Sequence, residues 1–396
     1  VKKVLFHLSI MNTMRQQAKS RESMPFKVLH LDSECTWRGG ENQIRLLLKA
    51  VQNETWQWHL AAPPGSEAIA RMSHLAQTFA VPMRGARILT AAFALARYVR
   101  QHGIQLLDCQ SGRAHNLGLF VKKICPHVKL VVHRRVDYPP APGTWHRRKY
   151  VHPSIDRFVC ISGAIQKILA EFGVPPAKLT TVRSAVDPGP FAEVDRHEAR
   201  RVLSHEWQIS PEQMIIGNLA YITEQKDHAT LIRALGILQQ RGLPFFAYIA
   251  GDGTLRSAAE ALAAELELGP DRLRFLGVRK DVAQLLAATD IFALSSQDEG
   301  LGTSLLDAVH SGCTLVATAV GGIPEIVLHE RTGLLAPAKD YELFAENLER
   351  LLRDPALLEK LKAGALAHVA REFSLESMVN GNLRVYQELI QGPVSS

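Results

Sequence analysis

Residues 290–307 read DIFALSSQDEGLGTSLLD. The apolar run 290–295 has the length and content of a buried strand. A loop bracketed by Gly300 and Gly302 then hands the chain to a helix over 303–311, and a further strand follows over 314–317. The same alternation repeats upstream, with strand 214–219 before helix 227–240 and strand 245–250 before helix 255–267. An earlier block opens with strand 26–32 and a helix from Glu41 that places Ile44, Leu47, Leu48 and Val51 on one face. It continues through strands 104–107, 130–133 and 155–161, the last running into Ser162, an N-cap for a helix over 165–172. A polar, proline-containing stretch, 184–195, separates the two blocks. The fold class is therefore α/β, with two doubly wound domains in tandem. A last helix, 375–390, carries Met378, Val379, Leu383, Tyr386 and Leu389 on one stripe and stops at Gly392-Pro393.

The 396 residues are 46% hydrophobic and 21% charged, enough for two packed cores. Lys plus Arg number 46 against 39 acids, and this excess of +7 favours anionic partners without calling for a nucleic acid. Cys35, Cys109, Cys125, Cys160 and Cys313 form no C-x-x-C pair, which argues against a zinc knuckle or a disulfide framework and suits the reducing cytoplasm. No apolar run approaches the ~18–20 residues that cross a bilayer. Residues 1–23 lack a signal-peptide cleavage pattern and read as a leader or extension, with Met24 directly before the first strand.

Four loops at strand ends can carry chemistry, because ligands of open α/β sheets lie beyond the carboxyl ends of the strands, where helix N-termini suit phosphate. In the opening stretch Glu299 projects from the loop and Asp307 lies just over one helical turn further on, spaced so that one carboxylate reaches a sugar and the other a ribose with a pyrophosphate between. The plainer reading is that the acids only complement the helix dipole. Lys226 opens the helix after strand 214–219, where a cation is misplaced unless an anion shares the site; a surface pair with Asp227 is the plainer alternative. Ala250-Gly251-Asp252-Gly253 resembles a dinucleotide fingerprint but has Arg256 in place of the third glycine. Trp37-Arg38-Gly39-Gly40-Glu41 lets a ligand approach the backbone closely, or simply turns the chain. A fifth segment, His133-Arg134-Arg135 together with Trp145-His146-Arg147-Arg148-Lys149-Tyr150, mixes aromatic and basic residues. It suits an acidic acceptor or anionic lipid headgroups, or is an ordinary solvated surface. P-loop, zinc-protease and nucleophile-elbow motifs are absent from the sequence.

Glu299, Gly300 and Asp307, followed by Gly312, Val316-Ala317-Thr318 and Val320-Gly321-Gly322-Ile323-Pro324-Glu325, closely resemble the signature of family-four retaining glycosyltransferases (glycosyl transferases group 1). Gly39-Gly40, Cys160-Ile161-Ser162, Lys226 and the Ala-Gly-Asp-Gly turn extend the resemblance over about residues 24–390. It implies a GT-B fold: an acceptor-side Rossmann-like domain over 24–185, a nucleotide-sugar-binding Rossmann-like domain over 186–371 and a C-terminal segment, 372–396, whose helix returns to the first domain. Glu299 and Lys226 would be catalytic, the first on the transferred sugar and the second on the leaving diphosphate, so that the pair grips opposite ends of the donor. Gly251, Gly253, Gly300, Leu301, Gly302, Thr303 and Asp307 would bind donor, with Asp307 on the ribose. Gly39, Gly40 and Glu41 would form an acceptor or phosphate loop. No metal and no cofactor is implied, since cations and helix dipoles stabilise the leaving group.

The chain departs from the family pattern at four places. Asp307 stands for a glutamate, and Tyr221 for an arginine, which leaves Lys226 to act alone or Arg38, Arg113, Arg134 or Arg279 to replace the missing charge. Gln110 stands for a histidine, with His115 as a substitute, and Ser184-Ala185 replaces Asn-Gly at the linker. The expected function is transfer of a sugar, with retention, from a nucleotide diphosphate sugar to a glycan or lipid-linked acceptor in envelope, lipopolysaccharide or polysaccharide synthesis. The protein would be cytoplasmic, with a peripheral contact to the anionic inner face of the cytoplasmic membrane and no nucleic-acid partner. A GT-B-type sugar-nucleotide epimerase and a non-catalytic binder of anionic glycan or membrane are the alternatives.

Overall fold

The computed structural model describes residues 25–83, 85 and 88–392. The expected leader and Met24 lie outside them.

Seven parallel strands form the first sheet: β1 (Phe26–Leu31), β2 (Trp56–Ala62), β3 (Gln77–Ala80), β4 (Leu106–Cys109), β5 (Lys129–Arg134), β6 (Arg157–Cys160) and β7 (Leu179–Thr181), in the order β3-β2-β1-β4-β5-β6-β7. The helices between them are α1 (Gly39–Ala50), α2 (Glu67–Met72), α3 (Ile88–His102), α4 (Gly112–Ile124), α5 (Thr144–Tyr150) and α6 (Gly163–Glu171). Strand periodicity sorts them into two layers. Leu29, Leu31, Leu107, Leu130, Val132 and Phe158 point to the side of α3, α4, α5 and α6. Their neighbours Val28, Leu106, Val131 and Val159 point to the side of α1 and α2.

A short helix, α7 (Gly189–Ala192), interrupts the linker, and α8 (Arg196–Trp207) opens the second domain. Its sheet is also parallel, with β8 (Ile215–Leu219), β9 (Phe246–Ala250), β10 (Leu273–Gly277), β11 (Ile291–Leu294), β12 (Thr314–Thr318) and β13 (Leu334–Ala336) in the order β10-β9-β8-β11-β12-β13. Covering it are α9 (His228–Gln240), α10 (Arg256–Glu265), α11 (Val282–Ala287), α12 (Thr303–His310), α13 (Ile323–Ile326), α14 (Tyr341–Arg353) and α15 (Pro355–Glu372). The final helix, α16 (Leu375–Gln391), leaves this domain and buries Met378, Val379, Val385 and Tyr386 against β1, β2 and α1 of the first. Gln43 of α1 holds the linker by both backbone groups of Ala185, donating to the Ala185 carbonyl at 2.7 Å and accepting from the Ala185 N–H at 3.1 Å.

The strand order reverses between β1 and β4 and again between β8 and β11. Each reversal opens a crevice at the carboxyl ends of its strands, the place where such sheets bind ligands. Ile161 of the first domain shares one apolar core with Leu301 and Ile323 of the second, so the two domains are packed together beside these crevices.

Candidate active site

At the β8/β11 crevice, two loops are stitched together. The Gln297 N–H donates to the Gln225 carbonyl at 2.8 Å, the Gln225 amide to the Asp298 carbonyl at 3.0 Å, and the Ser295 hydroxyl to the Asp227 carbonyl at 2.8 Å. Asp227 sits in the left-handed region, φ +45°, and caps α9 through Thr230, which turns the chain sharply after Lys226. The outcome is a direct, charge-assisted hydrogen bond from Lys226 Nζ to Glu299 Oε2. The two groups expected at opposite ends of a ligand are thus in contact with each other, because the stitching brings their loops edge to edge. Both are largely shielded, with side-chain exposures of 21% and 14%.

The glycines of the signature are packing requirements. A Cβ on Gly321, φ +50°, would lie 1.9 Å from the Glu299 carbonyl oxygen, and one on Gly322 would lie 2.4 Å from that of Gly300. Gly302 ends the loop at φ +86°, and Thr303 is the first residue of α12. Leu301 is buried in the shared core. Asp307, half-buried on α12, is pushed up to about 7 by burial, and its carboxyl makes no hydrogen bond among the described residues. Gly251 and Gly253 press against the carbonyls of Ala220 and Ile222, where a Cβ would come within 2.0 and 2.2 Å, so they shape the loop that leads to Lys226.

The first domain meets this loop directly. Asp137 Oδ2 accepts the Glu299 N–H at 2.5 Å, and a Cβ on Gly300 would stand 2.4 Å from the Arg135 carbonyl oxygen. The Arg135 side chain passes within 3.5 Å of the Cβ position of Gly40 and donates to Gln110 at 2.6 Å. Gly39 and Gly40 are the first turn of α1, not a loop before it: the Glu41 carboxylate accepts the Arg38 N–H at 2.7 Å and starts the helix earlier than the apolar spacing indicates. Beside this turn, Asp32 is pushed up to about 7 by burial and by the adjacent Glu41 carboxyl. Gln110 is oriented by Asp108, which accepts from it at 2.8 Å and from the Tyr386 hydroxyl of α16 at 2.5 Å, with His30 Nδ1 at 3.1 Å and His133 Nε2 at 3.2 Å. Burial works against ionisation of Asp108, but His133 and His30 outweigh it and hold the carboxyl well below its usual range.

Other expected residues fall elsewhere. His115 is buried edge-on to Tyr150 and Phe158 in the core, so it does not face the cleft as a replacement histidine. Arg134 is turned inward to the Tyr150 hydroxyl at 2.8 Å and the Tyr138 carbonyl at 2.5 Å. Arg279 is held by Asp281 at 2.5 Å and Glu206 at 3.0 Å, and Arg113 stands 3.8 Å from Glu34. Tyr221 is 65% exposed. The residues that sequence reasoning missed are Asp108, Asp137, His30 and, as an individual contact, Arg135. An acid inside the otherwise apolar strand Leu106–Cys109 is the signal that could have revealed Asp108. Among the described residues, no cluster of three or more His, Cys, Asp or Glu is placed to hold a metal ion.

Two doubly wound domains meeting where the second offers a lysine–carboxylate pair beside a helix N-terminus define a GT-B architecture. Solved structures share it: a glycosyltransferase from Rickettsia africae ESF-5 covers 93% of this chain and 100% of its own at 18% identity with a TM-score of 0.83. Anabaena HepE in complex with UDP covers 92% and 100% at 18% identity with a TM-score of 0.81. Residues 37–189 match the family model described as Glycosyltransferase Family 4, and residues 200–367 match Glycosyl transferases group 1; the chain belongs to this family of glycosyltransferases. Among curated relatives, the D-inositol 3-phosphate glycosyltransferase of Actinosynnema mirum is 32% identical over 226 residues, 54% of this chain and 53% of that protein. The N-acetyl-alpha-D-glucosaminyl L-malate synthase of Bacillus anthracis is 26% identical over 236 residues, 60% of each. The chain spans between half and two thirds of the length of these relatives.

Proposed function

We propose that the chain is a retaining, metal-independent glycosyltransferase that moves a sugar from a nucleotide diphosphate sugar to a glycan or lipid-linked acceptor, working in the cytoplasm in the synthesis of envelope lipopolysaccharide or polysaccharide. The observation that carries the reading is the Lys226–Glu299 pair, set at the switch point of the second sheet and touched from the first domain by Asp137. A diphosphate entering beside α12 takes Lys226 as counter-ion and meets the N–H groups of Gly302 and Thr303, which frees Glu299 to bind the sugar. Asp307 lies on the same helix, one turn further in, where it receives the ribose hydroxyls. Gly251 and Gly253 support the donor by shaping the loop before Lys226. Gly39, Gly40, Glu41, Gln110 and Arg135 form the acceptor wall, and packing of the two domains excludes water from the donor.

Support for the donor class comes from Anabaena HepE, which was solved with UDP and with UDP-glucose, and for the pathway from WaaG, described as involved in lipopolysaccharide biosynthesis. The test is a panel of UDP-, GDP- and ADP-sugars offered with envelope glycan or lipid extracts and followed by NMR. One donor is expected to be consumed only with acceptor, to give a product of unchanged anomeric configuration, and to turn over equally in chelator. A new sugar isomer formed without acceptor would make the protein an epimerase. Tight acceptor binding with every donor untouched would make it a binder.

A further inference from the structure

The positive charge of the chain is concentrated in one part of the molecule. Residues 88–155 hold 11 Lys and Arg and two acids, Asp108 and Asp137, whereas the rest of the chain holds 35 Lys and Arg against 37 acids. Both of those acids are buried. Helices α3, α4 and α5 fall in this segment, contain no Asp or Glu, and cover the same side of the first sheet. The helices themselves therefore present only basic or neutral residues, and two acids from outside them reach this side: Asp156, paired with Lys122 and Lys129, and Glu34, beside Arg113.

Large apolar side chains stand on the same surface. Phe93 is 66% exposed, Trp145 69% and Leu89 55%. Leu89, Phe93 and Arg97 follow one another at four-residue intervals along α3 and so share a stripe. On α5, Arg147 and Arg148 line a shallow groove beside Trp145. The ion pairs of this side belong to Arg113, Lys122 and Lys129, which leaves Arg97, Arg147 and Arg148 without an acidic partner among the described residues.

We propose that the α3–α5 face of the first domain docks on a bilayer surface rich in anionic phospholipid, with Phe93 and Trp145 entering the headgroup boundary and Arg97, Arg147 and Arg148 meeting phosphates. A basic face alone suits a nucleic acid as well. The projecting Leu89, Phe93 and Trp145 select lipid, because an acyl boundary accepts apolar side chains that a phosphodiester backbone does not use. The segment from Asp137, which touches Glu299, to Trp145 joins the cleft to this face, so a docked molecule presents its acceptor wall close to the membrane. The surface is read from charge and exposure and does not rest on sugar transfer.

The experiment is sedimentation of the full chain with vesicles of phosphatidylcholine, with and without phosphatidylglycerol. Binding is expected with the anionic vesicles only, with a blue shift of tryptophan fluorescence that Trp145→Phe removes. Release is expected when salt rises from about 0.1 to about 1 M, which shortens the screening length from about 10 to about 3 Å. Arg147→Glu/Arg148→Glu should weaken partitioning at least about 25-fold, from about fivefold per basic side chain. The matched reversal Arg353→Glu/Lys360→Glu on α14 and α15 should leave it unchanged, and Phe93→Ser, on a different helix, should lower binding while its thermal melt stays that of the parent. Equal binding to neutral vesicles, or full binding by both the arginine double variant and Phe93→Ser, would overturn the proposal. So would capture by polyadenylate with no binding to vesicles.

Discussion

Lys226 has its carboxylate partner within the same crevice, so its role and that of Glu299 can be separated by what each loses when the other is removed. Lys226→Met should weaken binding, in calorimetry, of the nucleoside diphosphate whose sugar the donor panel shows to be consumed, and lower kcat by about 100- to 1,000-fold, the usual cost of removing one leaving-group stabiliser. Glu299→Gln should lower kcat comparably yet leave binding of that diphosphate unchanged or tighter, since the ammonium is then released from its counter-ion. Unchanged affinity for it in Lys226→Met would remove the diphosphate role. Asp307 offers a pH test with a definite sign. Its folded-state value, raised from 3.8 to about 7, means that the folded chain holds this proton more tightly than the unfolded one, so the group costs stability increasingly as pH rises across that interval. The melting temperature of Asp307→Asn should therefore gain on the parent between about pH 4 and pH 7 and stay level above it. A constant difference across the range would contradict the shift. The meeting of Lys226 and Glu299 at the strand ends was partly legible in the sequence, because a cation at a helix start and an acid in a glycine-bracketed loop stand out there, whereas Asp307 matches what a helix N-terminus favours in any case. Asp108 and His30 were not legible, nor was the contact of His133 with Asp108, because these residues meet only after β1, β4 and β5 lie side by side, and no spacing along the chain records that adjacency.

Among the elements, α6 shows how one domain completes a structure of the other. Its first two N–H groups, from Gly163 and Ala164, donate to Glu325 Oε1 at 2.6 and 3.2 Å, and Arg183 Nε reaches Oε2 at 2.9 Å. The glutamate that ends the Gly-Gly-Ile-Pro-Glu run is thus an anion at the positive end of a helix in the opposite domain. A double-mutant cycle on Glu325→Ala and Arg183→Ala should return a coupling of about 0.5–1 kcal/mol, as expected for a half-exposed pair. A value near zero would mean that the helix terminus alone holds the carboxylate. Element legibility followed position in the sheet. Strands β3, β7 and β10 were not legible: they are edges of the two sheets and only partly buried, so they lack the continuous apolar run that marks the equally short interior strands β4 and β11, and β13, also an edge, is three residues long. β2 is interior and does carry a signal, since Trp56, Trp58 and Leu60 alternate on one face.

At the scale of the whole molecule, the two domains approach so closely at Gly300 that there is no room for a side chain. Gly300→Ala should force the Arg135 backbone away, raise the radius of gyration in solution scattering and lower kcat at least tenfold, with little change in the melt of either domain. An unchanged scattering profile would show that the loop yields instead of the interface. The division into two tandem α/β domains was plain from the alternation of apolar runs, whereas their mutual packing was beyond it, since Asp137, Glu325 and Tyr386 act on residues more than a hundred positions away. The return of α16 to the first domain has a further consequence, for synthesis. The first domain lacks the tyrosine that satisfies Asp108 and the apolar stripe that seals β1 and β2 until residues 375–391 have been made. It must wait with an open seam while the second domain is synthesised, so deleting α16 would injure the earlier-made of the two domains.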